Sequence, residues 1–469
     1  MGEPSLIQDL NSHGTINAAI PIHNKAGHVS TCKLAADTRK AASFMSSTAT
    51  TPLPRLSDQR SGFWAFLMAR VFAVCATQIQ AVVVAWQVYE ITRNPMALAY
   101  VGLAQFAPML VLLLPAGELI DRLPRKQILA ASWAVGGLCS GLLLWLSGHG
   151  STGVTGIYAA LVLFGATRAF SAPAMQSLLP QLVPQDLLPQ AIATNSVVMR
   201  GAAIGAPMLG GFLYAAGGAA WTYGVCMLAF GIGTALLWRV QVRYAVAKSE
   251  VAAHEQNDSI WQRFGTGIRF IFSRPMVLGT ITLDLFAVLL GGVIALLPIY
   301  AQEVLHTGPE GLGLLRSSMA VGEVAAGLYL SKRPFGNQVG RRMMLAVAVF
   351  GVANLVFSVS HWLWLSCIAL AIAGAADMVS VYVRGALLQF ATPDSMRGRV
   401  NAVNMLFVGS SNELGEFRAG ASAALLGAVP AAIAGGACTL VVVGLWTRLF
   451  PSLWTVNRFA DAQYQGTGK

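Results

Sequence analysis

The stretch Gly117–Lys126, GELIDRLPRK, places four charges within six positions, at Asp121, Arg122, Arg125 and Lys126. Long apolar segments lie on both sides of this stretch, at 95–116 and 127–146. Each is long enough to cross a hydrocarbon layer of roughly 30 Å, which takes about 20 helical residues. A charged turn between two such helices must lie at a water interface. The stretch therefore predicts a helical hairpin that is anchored at one membrane surface.

The composition of the whole chain agrees with a membrane protein. Of its 469 residues 55% are hydrophobic and only 11% are charged, and the mean hydropathy is +0.61. Values like these indicate a polytopic membrane protein rather than a soluble one. The net charge of +11 is spread over the loops, so we interpret it as a topology signal and expect no nucleic-acid partner.

Twelve apolar segments follow a polar amino-terminal region, and each is long enough to span the bilayer as a helix. This pattern predicts an all-α membrane protein with twelve transmembrane helices. The segments lie near residues 63–88, 96–119, 127–147, 154–175, 190–214, 221–239, 276–302, 311–331, 342–360, 362–388, 399–423 and 427–449.

The distribution of Lys and Arg predicts the orientation of these segments. The loops on one side carry fifteen basic residues, whereas the opposite loops carry only Arg93. Because basic loops stay in the cytoplasm, we expect both termini there, in a multi-pass protein of the bacterial inner membrane. The fifteen are Arg122, Arg125, Lys126, Arg239, Arg243, Lys248, Arg263, Arg269, Arg274, Lys332, Arg333, Arg341, Arg342, Arg397 and Arg399.

Three regions outside the apolar segments complete the predicted domain plan. Residues 1–60 are polar and read as a disordered cytoplasmic tail, and 451–469 as a second tail. Residues 241–275 form a linker, of which Trp261–Phe272 is amphipathic and predicts a helix along the inner membrane surface. The alternative is that this stretch forms the first turns of the seventh membrane helix.

The two halves of the chain echo each other at an offset near 210 residues. LVPQDLLPQAIATN at 182–195 aligns with ATPDSMRGRVNAVN at 391–404, so that Pro184 matches Pro393 and Asn195 matches Asn404. Such a repeat predicts two pseudo-symmetric six-helix bundles, at 61–240 and 276–450.

The charged turn also resembles a known motif. The pattern G-x-L-x-D-R-x-x-R-K is similar to the loop between helices 2 and 3 of the major facilitator superfamily, although Pro124 stands where that pattern usually has Gly. The chain from about 60 to 450 resembles the bacterial branch that contains the enterobactin exporter. The supporting stretches are AGELIDRLPRK, TRAFSAPAMQSLLPQLVP, LDLFAVLLGGVIALLPIYA, GLGLLRSS and MRGRVNAVNMLFVGSSNELGE.

The resemblance implies a gating role for the turn. In the family the acid and bases of this loop form an inner-side latch between the two halves. Asp121 would be the acid, near the start of helix eleven, where the positive end of the helix dipole favours a carboxylate. The alternative is that these charges only fix topology. The residues concerned are Gly117, Asp121, Arg122, Arg125 and Lys126.

Two further motifs carry the resemblance into helices four and five. Arg168 in GATRAFSAP resembles a buried arginine that the family links to proton coupling, although Ser171 replaces the expected Gln. The run GAAIGAPMLGG resembles the antiporter signature, and packing alone is the alternative. Its motif positions are Gly201, Gly205, Pro207, Gly210 and Gly211.

Charges inside the apolar segments are costly, so each should face a cavity or a partner. Spacing of seven residues suggests the same-helix pairs Arg316 with Glu323 and Asp377 with Arg384. Glu413 and Glu416 are three apart, and two carboxylates this close favour a shared proton. The alternative is that the acids form permanent ion pairs. The proton-coupling candidates are Arg168, Asp284, Glu323, Asp377, Glu413 and Glu416.

Polar groups within the apolar segments predict a substrate cavity between the bundles. The candidates are Gln78, Gln80, Gln105, Arg316, Asn404 and Asn412. These features together favour a monomeric secondary transporter that exports an amphipathic small molecule, drug or siderophore-like, by proton antiport. The alternatives are an importer or symporter of a small metabolite, and a non-transporting sensor. No zinc-protease motif, nucleophile elbow, Walker loop or Cys-x-x-Cys pair occurs, so we expect neither an enzyme nor a metal or cofactor.

Overall fold

The computed structural model describes residues 60–149, 153–242 and 260–461, and within these ranges the secondary structure is helical throughout. The predicted tail at 1–60, except for its last residue, lies outside the described residues. We number the helices in chain order: α1 Ala65–Thr92, α2 Pro95–Arg122, α3 Arg125–Gly148, α4 Val154–Leu178, α5 Leu188–Arg239, α6 Ile260–Ser273, α7 Pro275–Gly291, α8 Pro309–Lys332, α9 Val339–Val359, α10 Leu363–Ala391, α11 Asp394–Leu426, α12 Ala428–Leu449 and α13 Pro451–Thr455.

Local sequence explains where several helices begin. Proline occupies the first helical position of α2, α7 and α8, where the missing N–H costs nothing. The side chain of Asn94 precedes α2 and accepts a hydrogen bond of 2.9 Å from the backbone N–H of Met96. This cap satisfies one of the free donors at the helix start. Arg93 ends α1 in the left-handed conformation, so the connection between the two helices is very short.

Helix α5 combines two segments that the sequence predicts as separate helices, near 190–214 and 221–239. It runs from Leu188 to Arg239 with a single non-helical residue, Gly218, at φ 71° and ψ −173°. That backbone region is open essentially to glycine alone. One residue therefore serves as the whole connection between the two arms.

The predicted segment 276–302 is not one continuous helix. Helix α7 ends at Gly291, and shorter helical turns follow from Ile294 to Val304. Arg418 on α11 donates from Nε to the carbonyl of Leu289 (3.1 Å) and from Nη2 to that of Gly292 (3.1 Å). A cation at a helix C-terminus satisfies carbonyls that the helix leaves free. Arg418 therefore stabilises the break in the helix after Gly291.

Nine helical stretches within the described residues are long and apolar enough to cross a membrane. The whole of α5 counts once among them, and α8 and α11 are not included. Both of these carry several charges, Arg316 and Glu323 on α8 and Glu413, Glu416 and Arg418 on α11. Their lower hydropathy therefore comes from the residues that belong to the polar interior.

Packing connects the helices before residue 243, the N-terminal helices α1–α5, with those after residue 259, the C-terminal helices α6–α12. Among the N-terminal helices α1 packs on α5, and α4 packs on α2 and α3. Among the C-terminal helices α10 packs on α8 and α9, while α12 packs on α9 and α7. Helix α2 packs on α11, and α5 on α8, so these pairs join the two groups.

Two segments at the ends of the C-terminal group, helix α6 and residues 451–461, pack against the long helices. Helix α6 is a separate helix that ends at Ser273, because Arg274 has an extended backbone before Pro275 begins α7. It packs on α11, where Gly267 lies against the backbone of Arg399. Residues 451–461, which the sequence assigns to a tail, pack on α9 and α10. The backbone N–H of Gly340 donates to Val456, and Phe459 stacks on Phe390.

Candidate functional site

A polar cavity of about 200 Å³ lies where the N-terminal and C-terminal helices meet. Its walls come from α1, α2, α4, α8 and α11, so both groups contribute. Its polar and charged lining residues are Thr77, Gln78, Gln80, Gln105, Arg168, Arg316, Glu413 and Glu416. Seven of these eight, all except Thr77, stand among the residues that the sequence predicts for a cavity or for proton coupling.

An ion pair crosses this cavity. The Nη1 atom of Arg168 on α4 lies 3.2 Å from Oε1 of Glu413 on α11. The two side chains are 39% and 13% exposed, so the pair is open to the cavity rather than enclosed in the protein. Arg168 belongs to the N-terminal group and Glu413 to the C-terminal group. The pair is therefore a direct electrostatic link between the two groups of helices.

Glu416 lies one helical turn from Glu413 and lines the same cavity. Its side chain packs against Gly102 on α2, where an added Cβ would lie 3.6 Å from the Cβ of Glu416. Arg316 on α8 interacts electrostatically with Glu416. The cavity thus holds two acids and two bases, contributed by three helices. Their charges balance when both acids are ionised.

The lining of the cavity differs from the predicted lining at three residues, Thr77, Asn404 and Asn412. Thr77 lines it but was not predicted, and its position three residues before Gln80 on α1 is the signal that would have found it. Asn404 and Asn412 were predicted but are not among the lining residues. Asn412 is exposed, and the buried Oδ1 of Asn404 has no hydrogen-bond partner. By contrast, Asn195, its counterpart in the repeat, accepts a hydrogen bond of 2.7 Å from Arg70.

A second group of charges lies among the C-terminal helices. Asp284 on α7 forms a buried ion pair with Arg384 on α10, and each side chain is 7% exposed. The predicted pairing of Arg384 with Asp377 on its own helix is therefore wrong. Burial explains the difference, because a guanidinium within a bundle meets carboxylates on the helices packed against it before those two turns away.

Of the remaining candidates, Asp377 on α10 lies beside this ion pair, and Glu323 on α8 lies near Asp377. Asp377 and Asp284 line one small space of about 10 Å³. Glu323 interacts electrostatically with Asp377 and with Arg200 of α5. Its suggested partner Arg316 interacts instead with Glu416 across the cavity, so that same-helix pairing is also wrong. Arg200 brings a base from the N-terminal group to the seam between α5 and α8.

The bases of the charged turn bind the ends of neighbouring helices. Arg125 donates from Nη1 to the carbonyl of Ser177 (3.0 Å), in the last turn of α4. Lys126 donates to the carbonyls of Trp238 (2.9 Å) and Val240 (2.7 Å), at the end of α5. Cations at helix C-termini satisfy free carbonyls and interact well with the helix dipole. These contacts all lie within the N-terminal group.

The other residues of the turn are less engaged. Arg122 is exposed, and a Cβ added at Gly117 would meet nothing within 4 Å. The side chain of Asp121 lies outside what the structure describes. The structure thus assigns two bases of the motif to helix capping.

The helix-five motif divides into an open part and a packed part. A Cβ added at Gly201 or at Gly205 would meet nothing within 4 Å, whereas Gly210 lies against the backbone of Ile79. Gly211 faces the backbone of Pro309, and Gly313 of α8 faces that of Pro207. These glycines let α5 approach α1 and α8 closely in the part of the helix that is distant from the charged turn.

The contacts between α2 and α11 are close at the same end of the molecule. Gly420 lies against Ala99 and the carbonyl of Pro95, which begin α2. At the other end, additions at Gly117 of α2 and Gly398 of α11 would meet nothing within 4 Å. Tyr89 near the end of α1 also donates a hydrogen bond to Glu303. The N-terminal and C-terminal helices therefore meet tightly at the end distant from the charged turn.

Within the described residues, no group of three or more His, Cys, Asp or Glu side chains could hold a metal ion. The chemistry of the cavity is that of reversible ion pairs and hydrogen bonds. Such a site suits the binding and release of a solute or a proton.

The chain is similar to known exporters over most of its length. The chain is 27% identical over 413 residues to the enterobactin exporter EntS of Citrobacter koseri, covering 85% of this chain and 93% of the relative. It is 26% identical over 410 residues to the enterobactin exporter EntS of Shigella boydii serotype 18, covering 86% and 95%.

Solved structures show the same fold. A bacterial homologue of the iron transporter ferroportin in an inward-facing state superposes with a TM-score of 0.62 at 18% identity, covering 86% of this chain and all of the other. A bacterial homologue of the lysosomal transporter Spinster, inward-facing and unoccupied, gives 0.63 at 13% identity, covering 87% and 98%.

A family model described as transmembrane secretion effector matches residues 51–460, nearly the whole chain. The long apolar helices and the exporter-named relatives indicate a multi-pass membrane transporter rather than an enzyme. The chain belongs to the transmembrane secretion effector family of the major facilitator superfamily, and it is similar to enterobactin exporters.

Proposed function

We propose that this protein exports an amphipathic small molecule, siderophore-like or drug-like, in exchange for protons. Two six-helix bundles, with α5 supplying two of the twelve spans, alternate between two openings of the central cavity. The protein lies in the bacterial inner membrane as a monomer, with both termini and the charged turn in the cytoplasm. The exporter-named relatives and the positive-inside pattern support this assignment.

The Arg168–Glu413 ion pair carries the proposal. It joins α4 to α11 and thereby holds the two groups of helices together while the cavity is empty. A proton on Glu413 removes its charge and weakens the pair, and a substrate that binds Arg168 displaces Glu413 from it. Either the proton or the substrate therefore breaks the Arg168–Glu413 pair, whereas the empty transporter keeps the pair and stays closed at the end distant from the charged turn. Because the two groups of helices move only with a ligand bound, each cycle exchanges substrate for protons.

The cavity walls favour an amphipathic substrate. Besides the charged and amide groups they include Leu98, Val101, Leu161 and Phe164. Apolar walls with a few directed polar groups are typical of small-molecule sites. The relatives named as enterobactin exporters support a siderophore-like solute, and the mixed walls equally suit a drug.

The charged turn and the helix-five motif complete the proposed cycle. In the state with the cytoplasmic end closed, Asp121 would reach the start of α11 and act as the latch. A Cβ added at Gly117 of α2 or at Gly398 of α11 would meet nothing within 4 Å, so these two helix ends have room to approach each other, which supports the latch. Gly201 and Gly205 have open space around them, which would let this part of α5 move during the cycle.

A strain that lacks the protein is first tested for sensitivity to a drug panel and for siderophore retention, which identifies a solute. Everted inner-membrane vesicles are then made from the same strain after the protein is expressed in it again. We expect a proton gradient to drive uptake of that solute into the vesicles, and Glu413→Gln to abolish the dependence on the gradient.

The matched control is Asp186→Asn, which neutralises an exposed carboxylate between α4 and α5. It should behave as the wild type. Unchanged pH dependence in Glu413→Gln would remove the coupling role of this residue. Gradient-driven loss of solute from the vesicles would indicate an importer instead, and no movement of any solute would favour a sensor.

A further inference from the structure

Two further hollows lie among the N-terminal helices, beside the central cavity. The first, which we call the inner chamber, has about 240 Å³ and is enclosed mainly by α1, α3 and α4. The second, the lateral groove, has about 450 Å³ and runs along α2, α3 and α4. Neither belongs to the cavity described above, and the proposed transport cycle uses neither of them.

The three hollows form a row, because neighbouring ones share wall residues. Ser132 of α3 and Thr167 of α4 line both the groove and the chamber. Gln78 of α1 and Arg168 of α4 line both the chamber and the central cavity. Thr77 and Phe164 are shared by the chamber and the central cavity as well. The row therefore leads from the groove to Arg168 through two partitions, each formed by residues that line the hollows on both of its sides.

The groove opens on the apolar outer surface of the helices. Leu163, in the middle of α4, lines the groove and is 45% exposed, so it faces lipid chains. Leu119 and Leu123 line the end of the groove beside the charged turn, at the membrane surface, and are 39% and 46% exposed. A molecule that enters the groove comes from the bilayer, and the part of it that contacts these residues is apolar.

The partition between groove and chamber contains no bond between α3 and α4. The hydroxyl of Ser132 donates to the carbonyl of Ile128 (2.9 Å), and that of Thr167 to the carbonyl of Phe164 (2.7 Å). Each bond stays within one helix, so the helices can separate at this point with both hydroxyls still satisfied. The wall is thus able to open without a cost in lost hydrogen bonds.

Charge identifies the end of the row. Arg168 is the one charged side chain among the described residues that line the chamber. A guanidinium carries five N–H donors, more than a single carboxylate takes up. The walls change along the row from leucines, through two hydroxyls, to a base. This order of wall residues suits a molecule whose acidic group enters first and reaches Arg168, while its apolar body remains against the leucines of the groove.

We infer that the groove, the chamber and the cavity form a lateral access route, by which an amphipathic anion leaves the lipid leaflet and reaches Arg168. The inference rests on the proposed export function and adds to it where the substrate enters and which charge it bears. An acidic group that arrives by this route meets Arg168 directly and competes with Glu413 for it. Loading from the bilayer and release of the link between α4 and α11 are then one event.

The test uses the purified full chain in lipid nanodiscs with a fatty acid that carries a photoreactive diazirine on its chain. We expect the probe to label Trp133 and Met175, which line the chamber but not the groove. Labelled residues are found by mass spectrometry of peptides. A phosphatidylcholine with the same diazirine is the comparison, since it presents two chains and no free acid. It should label only the groove.

Tryptophan substitutions test the route itself. Ala131 of α3 is exposed and lines the groove, so Ala131→Trp fills it, and chamber labelling should be lost. Ala134→Trp is the matched control, because Ala134 is exposed on the same helix and lines none of the three hollows. It should keep the labelling. Leu163→Trp blocks the groove from α4 and replaces Ala131→Trp if that variant does not fold.

Three results would overturn the inference: fatty-acid labelling confined to the groove, equal loss in the Ala131 and Ala134 variants, or equal chamber labelling by phosphatidylcholine. The labelling needs no proton gradient, so it separates the route from the proposed antiport. If the chamber is labelled while Glu413→Gln leaves gradient-driven export unchanged, only the coupling assignment falls. If labelling fails while that variant abolishes coupling, only the route falls.

Discussion

Two ion pairs in this protein have the same chemistry but different surroundings. Arg168 and Glu413 face a cavity, and Arg384 and Asp284 are enclosed by α7 and α10. An exposed pair contributes little to stability and breaks easily, whereas removing one partner of a buried pair leaves an uncompensated charge. The first pair is therefore suited to a step that repeats in every cycle, and the second to holding two helices together.

Asp284→Ala should destabilise the protein strongly, because it leaves the guanidinium of Arg384 buried without its carboxylate. For the loss of one partner of a buried pair we expect a cost of about 3–5 kcal/mol. The thermal unfolding of the detergent-solubilised protein measures it. Asp284→Ala combined with Arg384→Met should recover much of the loss. An unchanged unfolding temperature in the single variant would show that the pair is not structural.

Asp121→Asn should leave the protein inserted in the membrane and cripple transport. The expected reason is that the amide cannot act as a charged latch at the start of α11. Flux per inserted molecule in everted vesicles measures the effect, with Arg122→Gln as a neighbouring change of charge. Wild-type flux in Asp121→Asn at equal expression would contradict the latch and leave the turn with a role in topology alone.

At the scale of single helices, glycine sets how close two of them come. A Cβ added at Gly322 of α8 would overlap the carbonyl oxygen of Ala371 on α10, and one at Gly374 would overlap that of Met319. The obstacle in both cases is backbone, which cannot turn aside as a side chain does. Helices α8 and α10 are in contact here because each helix has a glycine that lies against the backbone of the other helix.

Gly322→Ala should therefore lower the unfolding temperature and the yield of folded protein, although alanine is the better helix former. Gly385→Ala on α10 is the matched control, since an added Cβ there would meet nothing within 4 Å. Fluorescence-detected size-exclusion chromatography over a temperature series compares the two. Equal behaviour of both variants would mean that α8 and α10 tolerate a wider separation.

Sequence reasoning worked best for helix positions and least well for their breaks and partners. Hydropathy predicts the segment near 127–147, and the helix runs from Arg125 to Gly148, because helices continue past the hydrocarbon layer that hydropathy detects. The break after Gly291 was missed, since Arg418 supports it from another helix. Arg168 and Glu413 are 245 residues apart, so their chemistry predicts the need for partners but not their identity.

At the scale of the whole molecule, the tight contacts lie at the end distant from the charged turn. Gly420 of α11 meets Ala99 of α2 there, whereas Gly117 and Gly398 at the opposite end lie in open space. Transport requires both ends to alternate, so the same two helices must part at one end and approach at the other. The distance between α2 and α11 at each end is thus a readout of the state.

Cysteine cross-linking tests this alternation in a background without the six native cysteines. Ala99→Cys with Gly420→Cys should form a disulfide readily in the resting protein and stop transport until reductant is added. Gly117→Cys with Gly398→Cys should cross-link only when substrate or a proton gradient drives the cycle. The reverse order of efficiency, measured by gel shift of a protein cleaved between 243 and 259, would contradict the closed end assigned here.

The single glycine in the middle of α5 has a consequence for biogenesis. Residue 218 is all that separates the two arms, at 188–217 and 219–239, so no polar loop is available to be carried across the bilayer by itself. In the proposed topology each arm spans the bilayer, so we expect the two arms to leave the insertion machinery together as one hairpin. A bulky residue at position 218 should therefore reduce the amount of correctly inserted protein, rather than the transport rate of the molecules that do insert.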